Sequence, residues 1–362
     1  MNQGLKMLLM PFGVAYGTIT MLRNRLYDLR LLREKKFEIH TIGVGNLAVG
    51  GAGKTPLIEY LIRLLVKEGV AAATLSRGYK RKTSGFVLAN DASVAADIGD
   101  EPLLYKTKYN VTVAVDANRV NGIRNIIRIC GQKAPVILLD DVFQHRAVRA
   151  GLNILVTEYG NPYYNDVMMP AGTLREFSSG VKRADVIVVT KTPDRTTAVE
   201  MRTVIKDLKP QAHQKVFFSF LKYGELYSIN NEQIKLDTLN DLFRYRVIVF
   251  SGIANPAPMV NYLKEYAADL KHLPFADHYQ YEPKDLKVIE KYYHSFEGGN
   301  KILVTTEKDL MRLKMPDLWP IARLMNIYIL PVEVSFRDKE EEFNELVMHY
   351  VHSRRIYHEK YS

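Results

Sequence analysis

The sequence has one cysteine, Cys130, so it cannot form an internal disulfide, and this fits a reducing compartment such as the cytosol. The flanking residues 126–129 read as buried helix, which makes Cys130 a core residue. No Cys/His cluster has zinc-site spacing, and neither an internal repeat nor a low-complexity tract is present. Acidic residues are fewer than basic ones, 40 against 50, and the net charge of +10 points to an anionic partner: a nucleotide, a nucleic acid or a phospholipid surface. The one uncharged run, residues 7–22, is short for a membrane-crossing helix, which needs about 20 apolar residues, and is interrupted by Pro11, Gly13 and Gly17. The remaining composition is that of a globular protein, 47% hydrophobic and 25% charged, and 362 residues favour two domains.

The basic charge is uneven. Lys6, Arg23, Arg25, Arg30, Arg33, Lys35 and Lys36 outweigh Asp28 and Glu34 in residues 1–36, a balance of 7 − 2 = +5 and half the total. No signal-peptide cleavage site follows the apolar run. It continues instead into residues 23–33, where apolar and basic positions separate at helical spacing. Such a helix suits the membrane interface, with its arginines at anionic headgroups. It equally suits packing on the protein's own core.

From residue 37 onward, strands alternate with helices. Strands are expected at 37–44, 70–75, 111–115, 135–141, 152–157 and 186–190, with helices at 56–67 and 117–130. Continuous β-branched runs separated by helices predict a mostly parallel α/β sheet covered on both faces, and a glycine-rich loop at 45–55, between the first strand and helix, makes it P-loop NTPase-like. The texture changes after about Pro210. Strands at 216–220, 226–229 and 233–236 are expected, the last two as a hairpin across Asn230-Asn231. A strand at 247–250, helices at 258–270 and 283–296, a strand at 301–305 and a helix at 340–352 follow. The predicted organisation is an N-terminal membrane-interface helix over 1–36, a P-loop core over 37–215 and a smaller α/β domain over 216–362.

The strongest motif lies between the first strand and the first helix of the core, Gly45-Asn46-Leu47-Ala48-Val49-Gly50-Gly51-Ala52-Gly53-Lys54-Thr55. Glycines let backbone N–H groups wrap phosphates without Cβ interference, and the following helix N-terminus adds partial positive charge. In this pattern Lys54 reaches the β- and γ-phosphates and the Thr55 hydroxyl ligates magnesium. Ala48 stands where the general pattern has glycine. The other half of such a site is an acid at the end of an apolar strand, and Asp140-Asp141 fits. These features indicate a magnesium-dependent nucleoside triphosphate enzyme. No Asn-Lys-x-Asp segment suggests a GTPase, and no further motor motifs suggest a helicase.

Several segments together resemble the tetraacyldisaccharide 4′-kinases of the lipid A pathway. They are Gly45-Asn46-Leu47 with Gly53-Lys54-Thr55-Pro56, Leu75-Ser76-Arg77-Gly78-Tyr79, Gly99-Asp100-Glu101-Pro102, Leu139-Asp140-Asp141 with Phe143-Gln144-His145-Arg146, Pro170-Ala171-Gly172-Thr173-Leu174-Arg175-Glu176, Asp277-His278-Tyr279 and Thr305-Thr306-Glu307-Lys308-Asp309. Their order and spacing run through most of the chain. The family loop also has a non-glycine at the place of Ala48, whereas Val142 replaces a common glycine.

The resemblance implies ATP-dependent phosphorylation of the 4′-hydroxyl of a lipid A disaccharide 1-phosphate at the cytoplasmic face of a Gram-negative inner membrane. It makes residues 1–33 a peripheral anchor on that anionic surface, and it calls for neither nucleic acid nor an obligate protein partner. Asn46, Gly50, Gly51, Ala52, Gly53, Lys54, Thr55 and Pro56 would hold ATP. Thr55, Asp140 and Asp141, with Glu101 as a further candidate, would hold Mg2+, and Arg175 would stabilise the transferred phosphoryl group. The family comparison points to Asp100, oriented by His278, as the general base. Read from the residues alone, Asp100 could equally be a helix N-cap. Arg77, Tyr79, Arg119, His145 and Glu176 are candidates for substrate contact, and residues 76–82 could equally be a solvated loop. Two other functions remain open to the sequence: an NTPase or kinase acting on a soluble or nucleic-acid substrate, and a nucleotide-gated membrane-recruitment protein.

Overall fold

The computed structural model describes residues 3–131, 135–230, 238–296 and 299–353. The chain opens with helix α1 (Gln3–Asp28), then alternates β1 (Thr41–Gly45), α2 (Lys54–Lys67), β2 (Ala72–Ser76), β3 (Val87–Leu88), α3 (Ala95–Ile98), α4 (Asp100–Lys108), β4 (Thr112–Val115), α5 (Arg119–Cys130) and β5 (Val136–Asp140). Next come β6 (Leu152–Glu158), β7 (Val186–Thr190), α6 (Ala198–Leu208) and β8 (Lys215–Tyr223). A second run holds β9 (Tyr227–Ser228), β10 (Tyr245–Ser251), α7 (Ala257–Lys264), β11 (Asp269–Pro274), α8 (Pro283–Ser295), β12 (Asn300–Thr306), α9 (Glu307–Leu313), α10 (Trp319–Ala322) and β13 (Ile327–Leu330). The chain closes with β14 (Val332–Phe336) and α11 (Glu340–His352).

The larger sheet has nine strands in the order β14-β8-β7-β6-β1-β5-β2-β4-β3, parallel except at its edges, where β3 and β14 run antiparallel to their neighbours. Successive residues of β5 point to opposite faces, as the period of two in a strand requires. Leu138 packs in a core with Leu57, Leu61 and Phe343, while Ile137 and Leu139 pack in another with Ile123 and Ile126. Helices α2 and α11 therefore cover one face and α5 the other, which is the mostly parallel, doubly covered α/β arrangement expected.

The smaller sheet has the order β11-β10-β12-β13-β9, parallel except for β9. The sheets do not divide the chain at residue 215. β8 adds in parallel to β7 because its apolar residues Phe217 and Phe218 continue the larger core, and β14 returns to pair with β8. The smaller sheet thus occupies the stretch between, and residues 332–352 belong with the larger one rather than with a domain over 216–362.

Three local expectations change. The helix expected over 258–270 ends at Lys264, and Asp269–Pro274 instead alternates exposure as edge strand β11. Tyr227–Ser228 pairs with β13, and the proposed partner strand 233–236 lies outside the described residues. The interruptions expected at Pro11, Gly13 and Gly17 do not break α1. Gly13 and Gly17 instead allow close approach, since a Cβ at Gly13 would lie 2.9 Å from the Met168 carbonyl oxygen and one at Gly17 would lie 2.6 Å from the Phe177 ring. Met7, Leu8, Phe12 and Ile19 remain exposed. By length and composition alone, Gly4–Asp28 is long and apolar enough to cross a membrane.

The two sheets are joined by buried charge. Lys108, at the end of α4, sits 2.7 Å from Glu59 of α2 and 2.8 Å from Glu307 of α9. Both carboxylates are almost wholly buried, and breaking such a pair by removing one partner leaves an uncompensated charge. Lys108→Met should therefore destabilise the fold by about 3–5 kcal/mol, read as a lower urea midpoint, whereas Lys108→Arg, which keeps the cation, should lose less. An unchanged midpoint for Lys108→Met would remove this junction from the forces holding the sheets together.

Candidate active site

Strands β1 and β5 are neighbours, with Val44 opposite Asp140. Because both run the same way, the glycine-rich loop leaving β1 and the acid pair ending β5 emerge side by side on the sheet's carboxyl edge. Gly50 and Gly53 adopt φ of 110° and 86°, and Gly53 caps α2 in a left-handed conformation where a side chain would be strained. Ala48 sits in an isolated antiparallel bridge to Leu174, and the Val49 N–H donates to the Thr173 carbonyl at 2.8 Å. That segment of the loop is extended, so a Cβ is accommodated where the general pattern has glycine. The Thr190 hydroxyl donates to the Ala52 carbonyl at 2.8 Å and fixes the loop from β7.

Four of the expected residues converge. Lys54 Nζ donates to Asn46 Oδ1 at 2.8 Å and lies 3.3 Å from Asp141 Oδ1. Arg175 grips Asp141 with both terminal nitrogens, at 2.9 and 2.8 Å, and donates to Asn46 Oδ1 at 2.7 Å. Burial opposes ionisation of Asp141, but Arg175 and Lys54 outweigh it and hold this carboxyl well below the usual carboxylate range. Asp141 has φ of 48°, and Val142 is buried with Cγ1 against the flat Gly43. The substitution at 142 therefore fills space over β1 and leaves the acids in place.

Asp140 is buried and accepts the Tyr105 hydroxyl at 3.2 Å. Burial, reinforced by Asp141, pushes its pKa up to about 6. Thr55, the first residue after Lys54 on α2, is also buried. Asp140, Asp141 and the Thr55 hydroxyl offer oxygen donors only, the chemistry a hard divalent cation takes, and magnesium commonly uses one or two carboxylates with substrate phosphates. Among the described residues no cluster of three or more Asp, Glu, His or Cys forms a self-sufficient metal cage.

Asp100 and His278 also meet, although 178 residues separate them, with His278 Nδ1 3.2 Å from Asp100 Oδ2. Asp100 is not the N-cap of α4. Gly99 takes that position at φ 94°, where a Cβ would lie 3.1 Å from the Tyr79 carbonyl oxygen, and Asp100 falls in the first turn. Tyr79 packs edge-on against His278 at 5.1 Å, and Lys80 donates to the His278 carbonyl at 3.1 Å. The loop over 76–82 is thus partly tied to the second sheet. Glu101 pairs with Lys308 at 2.9 Å. Burial alone would raise the Glu101 pKa, but Lys308 brings it down to about 2.

The remaining candidates divide. Arg77 is exposed. Arg119 is buried beneath β5, donating to the carbonyls of Asp116 and Asp140 at 2.7 and 3.0 Å. His145 is held neutral, its pKa brought down to about 4 by burial and then by Arg119, Arg23 and Arg77. Glu176 is 2% exposed, and its oxygens accept from Arg183, Gln144 and Asn24 of α1. It ties the N-terminal helix to the site, a fixed structural position for a residue expected to touch substrate. Sequence reasoning assigned no role to Lys308 or Arg312. Their one signal was the charged segment directly after an apolar strand at 300–306.

The family description "Tetraacyldisaccharide-1-P 4′-kinase" matches residues 5–352. A tetraacyldisaccharide 4′-kinase of Parabacteroides distasonis is 42% identical over 352 residues, spanning 96% of this chain and 95% of that protein. One of Flavobacterium johnsoniae is 41% identical over 349 residues, spanning 96% and 97%. A crystal structure described as the "apo" form of LpxK from Aquifex aeolicus in complex with ATP superposes with a TM-score of 0.72 at 29% identity, covering 96% of this chain and all of that one. With a family match over nearly its whole length and relatives near 40% identity, the chain belongs to the tetraacyldisaccharide-1-P 4′-kinase family.

Proposed function

We propose that this chain transfers the γ-phosphoryl group of ATP to the 4′-hydroxyl of a tetraacylated glucosamine disaccharide 1-phosphate, the 4′-kinase step of lipid A biosynthesis. The observation that carries this reading is the placement of two clusters on one sheet edge. Lys54 and Arg175 converge on Asp141 beside the acid-ended strand β5, and Asp100 of α4 meets His278 from the smaller sheet's part of the chain. One cluster suits a triphosphate and the other suits a hydroxyl proton.

In the transfer, the acceptor oxygen forms a bond to the γ-phosphorus as the bond to the β,γ-bridging oxygen breaks, and ADP leaves. The hydroxyl proton passes to Asp100, which His278 holds from the second sheet. Lys54 and Arg175, here paired with Asp141 and hydrogen-bonded to Asn46, turn donors onto phosphate oxygens, where charge-assisted hydrogen bonds are strong. Thr55, Asp140 and Asp141 would hold magnesium, which when bound neutralises charge on the β- and γ-phosphates. Glu101 would have to leave Lys308 to join them. The smaller sheet, seated against α4 as here, keeps Asp100 paired with His278 and excludes water from the transfer.

The exposed apolar side chains of α1, with Arg23 and Arg25 near its end and Arg30 just beyond it, support peripheral seating on the anionic cytoplasmic face of the inner membrane. The acyl chains of the substrate then stay in the bilayer while the sugar reaches the sheet edge. An alternative role in soluble or nucleic-acid chemistry has no comparable support from the exposed residues.

Incubation with ATP, magnesium and disaccharide 1-phosphate should add one phosphate to the lipid by mass spectrometry. Asp100→Ala should lower that turnover by roughly 10²–10⁴-fold with nucleotide binding retained, whereas wild-type turnover would remove Asp100 from the chemistry. Magnesium affinity should weaken as pH falls through about 6, because Asp140 then takes a proton and loses its charge. Calorimetry with a non-hydrolysable ATP analogue reads this, and Asp140→Asn should flatten the dependence. Leu8→Ser with Phe12→Ser should reduce flotation on vesicles containing anionic lipid while leaving the Asn24 and Asp28 contacts of α1 untouched. Flotation equal to wild type would place the membrane contact elsewhere.

A further inference from the structure

Among the described residues, Arg312 is the largest fully buried side chain, at 2% exposure. A guanidinium removed from water is costly unless charge and hydrogen bonds compensate it. Here compensation comes from both sheets. Nη1 donates to Asp309 Oδ1 and to the Gly252 carbonyl, each at 2.8 Å, and Nε donates to Asp100 Oδ2 at 2.8 Å. Nη2 lies 3.5 Å from His278 Nδ1.

The Asp309 end is fixed. Its carboxylate accepts the Gly252 N–H at 3.1 Å, the Tyr281 hydroxyl at 3.1 Å and the Thr306 hydroxyl at 2.7 Å. Arg312 therefore projects a rigid planar fork from α9 toward the first turn of α4. Two groups converge on one oxygen of Asp100, since Arg312 Nε and His278 Nδ1 both address Oδ2. Among the described residues, no hydrogen bond is made to Oδ1.

We propose that Arg312 is a positioning residue for phosphoryl transfer: by occupying Oδ2 it presents Oδ1 of Asp100 to the acceptor hydroxyl, and it completes this arrangement only when the smaller sheet sits against α4. The proposal rests on Asp100 as the proton acceptor. Arg312 touches neither substrate nor nucleotide in this role. Its effect falls on the rate of transfer, because a misdirected carboxylate loses proton acceptance while leaving the ATP loop and the lipid surface intact. A misplacement of about 1 Å at a reacting group can cost 10²-fold in rate.

The test compares Arg312→Met, Arg312→Lys, Asp100→Asn and the double variant Asp100→Asn/Arg312→Met in steady-state assays with ATP and disaccharide 1-phosphate in mixed micelles. Arg312→Met should lower kcat by about 10–100-fold, with both KM values within about twofold of wild type. Arg312→Lys, which keeps the buried charge but not the fork, should recover part of that loss. In the Asp100→Asn background, Arg312→Met should cost nothing further, because the two residues act through one oxygen. A folded Arg312→Met with wild-type kcat overturns the proposal, as does a full multiplicative loss in the double variant. If Arg312→Met fails to give a cooperative melt, Arg312→Lys decides: lowered kcat at unchanged KM supports the role, and wild-type kcat overturns it. Wild-type turnover in Asp100→Asn would sink the base assignment itself, whereas an inactive Asp100→Asn beside an undisturbed Arg312→Met would sink only the role of Arg312.

Discussion

The parallel register of β1 against β5 is the constraint on which the rest of this protein depends. With Val44 opposite Asp140, a glycine-rich loop and a pair of acids must leave the sheet at the same edge. Everything polar at the site is then arranged to tolerate that proximity. Asp141 turns outward through a positive φ to meet Arg175 and Lys54, whereas Asp140 stays buried against Tyr105. Two adjacent carboxyls thus acquire opposite tendencies, one held ionised by cations and the other biased toward its protonated form by burial.

The second sheet contributes charge as well as cover. Lys108, Lys308 and Arg312 each cross or border the junction and each meets a carboxylate there. Apolar packing runs through the same place, since Leu103 and Leu104 of α4 share a core with Phe250, Leu310 and Met311 of the smaller sheet's layer. Apolar contact alone would leave the relative placement of α4 and α9 loosely specified. The buried pairs narrow it, because a charge slid away from its partner in a dry environment loses far more than a methyl group does.

Much of this was legible in the sequence where one residue type has one physical use. The loop over 45–55 could be read because glycines, a lysine and a threonine at that spacing serve phosphate binding. The acids at 140–141 could be read because they end an apolar strand. The order of segments then carried the family. The parts that were not legible depend on distant partners. Arg312 and Asp309 are three residues apart on a short helix and look like an ordinary exposed pair until Gly252, Tyr281 and Asp100 close around them. Glu176 follows Arg175 directly, yet it faces inward to Arg183 and Asn24 while its neighbour faces Asn46 and Asp141. Strand β11 was hidden because residues 265–270 continue a helical pattern of apolar positions, and only pairing with β10 decides between the two.

The glycines of α1 have a consequence for how this helix can vary. Gly13 and Gly17 stand against Met168 and Phe177 with no room for a Cβ, so those positions are governed by volume. Met7, Leu8, Phe12 and Ile19 stand mostly exposed, so their oiliness counts for more than their shape. The helix is therefore written in two alphabets: one face accepts almost any greasy letter, while the other spells the same two characters or loses its seat.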